Sequence, residues 1–285
     1  MNNRSLPIGV FDSGVGGLTV VREIIRNLPN EKIIYFGDTA RVPYGNKSKE
    51  TVIRYSRQIT SFLTQQNVKA IVVACNTASA LALDTVRTDA PVPMLGVVVP
   101  GAAAAVKETR NHKIGVIGTS GTVSSGLYEK YIRQLDPEAQ VFTKACPLFV
   151  NLVEEGMIDD PVTVMMIHRY LDELVLECGI DTLILGCTHY PLLLSVISRE
   201  LGAKKAGELH GAAHAGGITL VNPAYETALA LKRLLEDSSL SAEKKEFLPP
   251  SAHRYFVSDG AGSFRSFAEN ILKLEIGNVE TETLV

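Results

Sequence analysis

The sequence predicts an α/β protein built from two pseudo-symmetric, doubly wound domains with mainly parallel sheets, and three observations carry that expectation. Short apolar runs alternate with longer helical patterns along the chain. The runs, such as Ala70-Ile71-Val72-Val73-Ala74, are continuous rather than alternating, as in strands covered by helices on both faces. The pattern also restarts: IGVFDSGVGG from Ile8 is echoed by IGVIGTSGTV from Ile114, and VVACNTAS around Cys75 by LILGCTHYP around Cys187.

Strands are expected at 7–11, 32–36 and 70–74, with helices at 18–28 and 49–66 between them, a βαβαβ order whose crossovers are right-handed. In the second half, strands at 113–117, 139–143 and 182–185 alternate with helices at 127–135 and 161–178. A helix at 192–201 follows, and then the Gly/Ala-rich stretch 203–217, read as a mobile loop. A strand at 218–222, a helix at 224–236, a polar linker at 237–246, a strand at 253–258 and a short helix at 263–272 come next. The acidic tail after residue 274 is expected to fray. The second unit is thus inserted into the first, giving domains at 1–98 plus 211–285 and at 99–210. Ligands of doubly wound sheets bind outside the C-terminal strand ends, so units set edge to edge would place an active site in the cleft between them.

Composition narrows the function. The 285 residues, 46% hydrophobic, are enough for two ordinary cores. A net charge of -3 with dispersed Lys and Arg offers no basic stripe, so neither nucleic acid nor an anionic membrane surface is an expected partner. A strand-like run begins within a few residues of the N-terminus, leaving no room for a signal peptide. The apolar stretch 94–106 is interrupted by Gly96, Pro100 and Gly101 and falls short of a membrane span. A cytoplasmic protein is expected, with its four cysteines as reduced thiols rather than a disulfide framework.

Two of those thiols attract chemistry. A thiol becomes a useful base when a helix N-terminus or a cation stabilises its thiolate. Cys75 is followed by Asn76 and Thr77, good helix-capping types, and Cys187 by Thr188, His189, Tyr190 and Pro191, with Pro common in a first helical turn. Those positions serve a cap and a substrate carboxylate equally well. Asp12 and Ser13 end the first strand on the edge where Cys75 is expected, suited to a substrate ammonium or a proton relay, or to a turn before Gly14. Tyr44 and Gly45 lie in the loop after the second strand, where Pro43 and Gly45 also read as turn chemistry. His189 adjoins Cys187 and can assist it as general acid or base. Glu154, in LVEEGMID, is placed at the start of a loop near the second unit's mouth, whereas Cys146 and Cys178 lack the strand-end setting and read as packing or surface thiols.

FDSGVGG, GDTARVPYG, ACNTAS, the GTSGT run, VEEG and GCTHYP, in this order, resemble the glutamate racemases over most of the chain from Ile8 to about Leu272. The paired ACNTAS and GCTHYP motifs are specific; the glycine loops alone are weak. The resemblance implies a cofactor-independent isomerase, without a metal, that interconverts L- and D-glutamate and supplies D-glutamate for peptidoglycan. It implies that Cys75 and Cys187 are the acid/base thiols, acting on the D- and L-enantiomer respectively, with Asp12, His189 and Glu154 assisting. Asp12-Ser13, Tyr44-Gly45, Asn76-Thr77 and Thr188-His189 become substrate-binding pairs, with Thr119 and Thr122 as lesser contacts. A homodimer is expected. The 203–217 stretch is longer and richer in Gly and Ala than this family suggests. Asp12 falls only twelve residues in, whereas members that need a peptidoglycan-precursor activator resemble longer chains, so no activator is expected.

Other readings compete. An aspartate racemase needs the same ammonium and carboxylate sites. Gly14-Val15-Gly16 after the first strand, with Asp38 ending the second, imitates a dinucleotide fingerprint, but Thr19 stands at its third glycine. Two duplicated lobes also suit a non-catalytic small-ligand binder, and the cysteines with His189 a metal site, although no C-x-x-C pair supports zinc.

Overall fold

A computed structural model describes residues 3–202, 204–205, 217–243 and 248–284 of the chain, and its contacts divide into two compact units, Met1–Val97 with Ala224–Val285, and Val98–Pro223. No helix among the described residues is long and apolar enough to cross a membrane.

The first unit is built by β1 (Ile8–Asp12), α1 (Leu18–Asn27), β2 (Ile33–Gly37), α2 (Lys49–Gln65), β3 (Ala70–Val73), the short α3 (Asn76–Leu81) and α4 (Leu83–Val86), and β4 (Met94–Gly96). The second contains α5 (Val98–Glu108), β5 (Lys113–Gly118), α6 (Ser120–Ser124), α7 (Leu127–Leu135), β6 (Gln140–Ala145), α8 (Leu148–Glu154), α9 (Pro161–Asp172), β7 (Thr182–Gly186), α10 (Leu194–Leu201), β8 (Lys204–Lys205) and β9 (Thr219–Val221). The chain then continues through α11 (Pro223–Asp237), β10 (Arg254–Val257), α12 (Ala261–Ser266) and β11 (Val279–Thr281).

Among the described residues every strand pairing is parallel: the sheets run β11-β10-β2-β1-β3-β4 and β6-β5-β7-β9-β8. In both, the first strand of the repeat is flanked by the second on one side and the third on the other, which is the topological form of the echo between Ile8 and Ile114. Strands β1, β2, β3 and β7 are buried at every position, as continuous apolar runs require. Helix α2 shows the local logic. Ser48 caps it, accepting from the Thr51 N–H at 3.3 Å, and Val52, Ser56, Ile59 and Leu63 recur at helical spacing on its buried face. Those apolar residues pack with Phe36, Phe62, Ile71 and Phe256 in the first unit's core. Asp160 caps α9 in the same way, with Pro161 in its first turn.

Several elements depart from expectation. The interrupted apolar stretch 94–106, for which the sequence predicts no element, forms β4 and most of α5, and the helix at 161–178 stops at Asp172 before a π-helical turn at Glu173–Glu177. The strand at 219–221 was expected in the first domain, but it pairs with β7 in the second sheet, and the chain returns to the first unit at Ala224. The expected domain boundary at 210/211, and the Gly/Ala-rich loop apart from residues 204–205 and 217, lie outside the described residues. The tail does not fray: β11 pairs with β10, Tyr255 opposite Val279, and Leu284 packs against the first core.

Candidate active site

Strand register gathers the first unit's chemistry. Val73 lies opposite Phe11 and Asp12 opposite Gly37, so Asp12, Asp38 and Cys75 emerge at one sheet edge. The Asp38 N–H donates to the Asp12 carbonyl at 3.1 Å. Asp12 is fully buried and its Oδ2 accepts from the Gly14 N–H at 3.0 Å, the turn contact expected of an Asp before glycine. Gly17 is required for space: a Cβ there would come within 2.4 Å of the Asp12 Cβ and 2.7 Å of the Tyr35 hydroxyl. Gly17→Ala should therefore destabilise the protein by about 1–3 kcal/mol and reduce turnover by displacing Asp12. An unchanged melting curve with unchanged turnover would show that the loop absorbs the methyl group.

Cys75 itself caps α3. Its sulfur accepts from the Ala78 N–H at 3.4 Å, a backbone donor placed to support a thiolate, and its thiol donates toward the Ser13 hydroxyl oxygen at 3.7 Å. Asn76 and Thr77, buried, form the first turn beyond it. Tyr35 donates to the Gly14 carbonyl at 2.7 Å, and burial, with Asp12 and Cys75 adding to it, holds its phenol well above the ordinary value.

Tyr44 and Gly45 lie in a one-turn 3-10 helix, Tyr44–Asn46. The Tyr44 ring is buried and its hydroxyl bonds to Asp38, whose carboxylate also accepts from Arg41 Nε at 2.8 Å and Ser258 Oγ at 2.9 Å. The Asp38 oxygens are therefore engaged with protein donors, which removes the acidic group that the dinucleotide reading needs for a ribose. This knot of Asp38, Arg41, Tyr44 and Ser258 is absent from the sequence expectations, although Asp38 stands inside the GDTARVPYG motif.

The second unit repeats the arrangement. Gly118 lies opposite both Ala145 and Gly186, so Thr119, Cys146 and Cys187 share an edge. Thr119 caps α6, its hydroxyl accepting from the Thr122 N–H at 3.3 Å and meeting the Thr122 hydroxyl at 3.1 Å. Thr188 is buried beside Cys187. The Cys187 sulfur lies 3.8 Å from His189 Nδ1, and His189 Nε2 lies 2.8 Å from Glu154 Oε1. Burial pulls the imidazole toward its neutral form, but the bonds to Cys187 and Glu154 outweigh it and push the pKa up to about 10. His189 thus bridges the Cys187 sulfur and the Glu154 carboxylate, both of which favour its protonated form.

Two placements differ from the sequence reading. Glu154 does not open a loop; it is the last residue of α8, which aims it at His189. Cys146 does stand at a strand end, directly after β6, and its N–H donates to the Gly118 carbonyl at 2.9 Å. Burial pushes its thiol up to about 12, so it is a packing thiol in a strand-end position.

Residues 8–212 match the Asp/Glu/Hydantoin racemase family. The chain is 47% identical over 272 residues to the glutamate racemase of Geobacter metallireducens, covering 95% of this chain and 94% of that one. Its fold superposes on the crystal structure of glutamate racemase isoform RacE1 from Bacillus anthracis with a TM-score of 0.88 and 42% identity, over 99% of this chain and 98% of that one. The glutamate racemase of Francisella tularensis, crystallised in complex with D-glutamate, gives 0.86 at 36% identity over the same shares of the two chains. With these matches running along nearly its whole length, the chain belongs to the glutamate racemases of the Asp/Glu/Hydantoin racemase family and is an isomerase.

Proposed function

We propose that this chain interconverts L- and D-glutamate by a two-base mechanism in which Cys75 and Cys187 exchange the α-proton on opposite faces of the substrate. One observation carries the reading. The two thiols stand at the ends of the corresponding third strands of two sheets with matching strand order, each beside its own proton-active partner. Inversion at a carbon acid needs one base to remove the proton and one acid to return it on the other side. A thiolate and a thiol fill those roles and exchange them with direction. The proposal requires both thiols to face one substrate.

The remaining residues divide by chemistry. Asp12, Ser13, Asn76 and Thr77 in the first unit, and Thr119, Thr122, Thr188 and His189 in the second, supply the polar groups for one ammonium and two carboxylates. Tyr44 gives a buried ring, its hydroxyl engaged by Asp38, so in this reading it shapes the site while Gly45 offers main chain. Protonated His189 supports Cys187 as a donor, and Glu154 keeps His189 charged and oriented. The choice of glutamate rests on the relatives named above, one of them crystallised with D-glutamate. By the same kinship, the D-glutamate formed serves peptidoglycan synthesis, and the protein acts in the cytoplasm as a homodimer.

Incubation of the purified protein with L-glutamate in deuterated water tests the reading. Optical rotation should decay while deuterium appears at the α-carbon, with no cofactor added. Binding of glutamate without exchange would make the protein a small-ligand binder, and faster exchange with aspartate would move it to the aspartate branch.

A further inference from the structure

Glu154 meets His189 at 2.8 Å although its side chain is 45% exposed, and so open an ion pair does not hold two elements in register by itself. A buried contact nearby can. Tyr190, the residue after His189, is fully buried, and its hydroxyl donates to the Cys146 carbonyl at 2.8 Å. Cys146 follows β6 and is succeeded by Pro147, the N-cap of α8, whose last residue is Glu154. Phe149 on the same helix stands edge-on to the Tyr190 ring, with centroids 5.4 Å apart and planes at 88°. Burial, reinforced by Cys187 and Cys146, holds the phenol well above its ordinary value, so Tyr190 remains a neutral donor.

We propose that Tyr190 is a positioning residue of the reaction: its hydroxyl, through the Cys146 carbonyl, sets α8 against the 187–190 turn so that Glu154 reaches His189 and His189 stays aligned on Cys187. The inference rests on the reading of His189 as the partner of Cys187. The titratable groups acting on His189 include Cys187 from its own turn and Glu154 from α8, while Tyr128, Cys146 and Tyr190 surround Cys187 as groups that burial keeps protonated.

Tyr190→Phe keeps the ring and its edge-on contact and removes only the hydroxyl. We expect kcat to fall about tenfold with little change in KM, the loss of one buried, well-aligned hydrogen bond. The alkaline limb of the kcat profile, where His189 would lose its proton, should also move to lower pH, because a slackened Glu154 no longer raises the imidazole. Glu154→Gln should move that limb the same way, and the double variant no further. If Glu154→Gln moves the limb and Tyr190→Phe does not, the positioning role is overturned and the reading of His189 stands. If neither moves it, that reading fails and takes the inference with it. Phe149→Leu loosens the same junction from the helix side and is read identically should Tyr190→Phe not fold.

Discussion

Replacing either thiol by a hydroxyl is expected to end racemisation, with Cys75→Ser and Cys187→Ser each lowering kcat by about a thousandfold or more. A serine hydroxyl is far too weak an acid to be the thiolate's equivalent at neutral pH. The two variants should nevertheless differ in kind. Enantiomers have equal free energies, so kcat/KM must stay equal in the two directions however one side is damaged, and the asymmetry has to be sought in exchange. Cys75→Ser keeps Cys187 with His189 beside it, and should still wash deuterium into L-glutamate without inverting it. Cys187→Ser keeps Cys75 under the Ala78 N–H and the Ser13 hydroxyl, and should do so with D-glutamate. Mass spectrometry of chirally separated glutamate reads both. Full racemisation by either variant would remove that cysteine from the mechanism.

The largest stability effect is expected far from the thiols. Lys69 precedes β3 with its ammonium fully buried, 2.5 Å from Glu31 Oε2 and bonded to the carbonyls of Arg4 at 2.8 Å and Leu240 at 2.9 Å. Glu31 Oε1 in turn accepts from the Ala242 N–H at 2.7 Å. Lys69→Met leaves a buried carboxylate without its cation and takes one donor from each of two carbonyls, at a cost of about 3–5 kcal/mol. Calorimetry should show the melting temperature falling by roughly 10 °C. Glu31→Leu added to Lys69→Met should restore much of it, because a buried pair replaced together is far less costly than one broken. A single variant melting within about 2 °C of the parent would show that water reaches Glu31.

Much of this architecture was legible in the residues. Strands β1, β3, β5 and β7 are apolar runs too short for helices, and the repeated strand–thiol–helix pattern marks both cysteines in the residues alone. The failures have physical causes. The 94–106 stretch carries no polar side chain and is broken only by Gly96, Pro100 and Gly101, so no periodicity separates β4 from α5. Helix α8 is only seven residues long, too short for its period to outweigh the Glu-Glu-Gly that follows. Strand β11 is Val-Glu-Thr at a sheet edge, where pairing rather than hydrophobicity makes the strand. Cys146 looked unlike its fellow thiols because Lys144 and Ala145 make a poor apolar run, yet β6 ends immediately before it. Tyr190 and Asp38 act through long-range partners, Cys146 and Ser258, which no local pattern discloses.

The insertion of one unit within the other has a consequence for the order in which the molecule is made. Residues 98–223 are contiguous, so the ribosome delivers that unit whole, whereas the first unit's sheet waits for β10 to cover β2. Through the whole of that interval Ile33–Gly37, buried at every position in the finished fold, presents an unpaired apolar edge. The nascent chain therefore carries this open edge from the emergence of Ile33–Gly37 until Arg254–Val257 emerges, and codon-paced slowing between those points would lengthen its exposure.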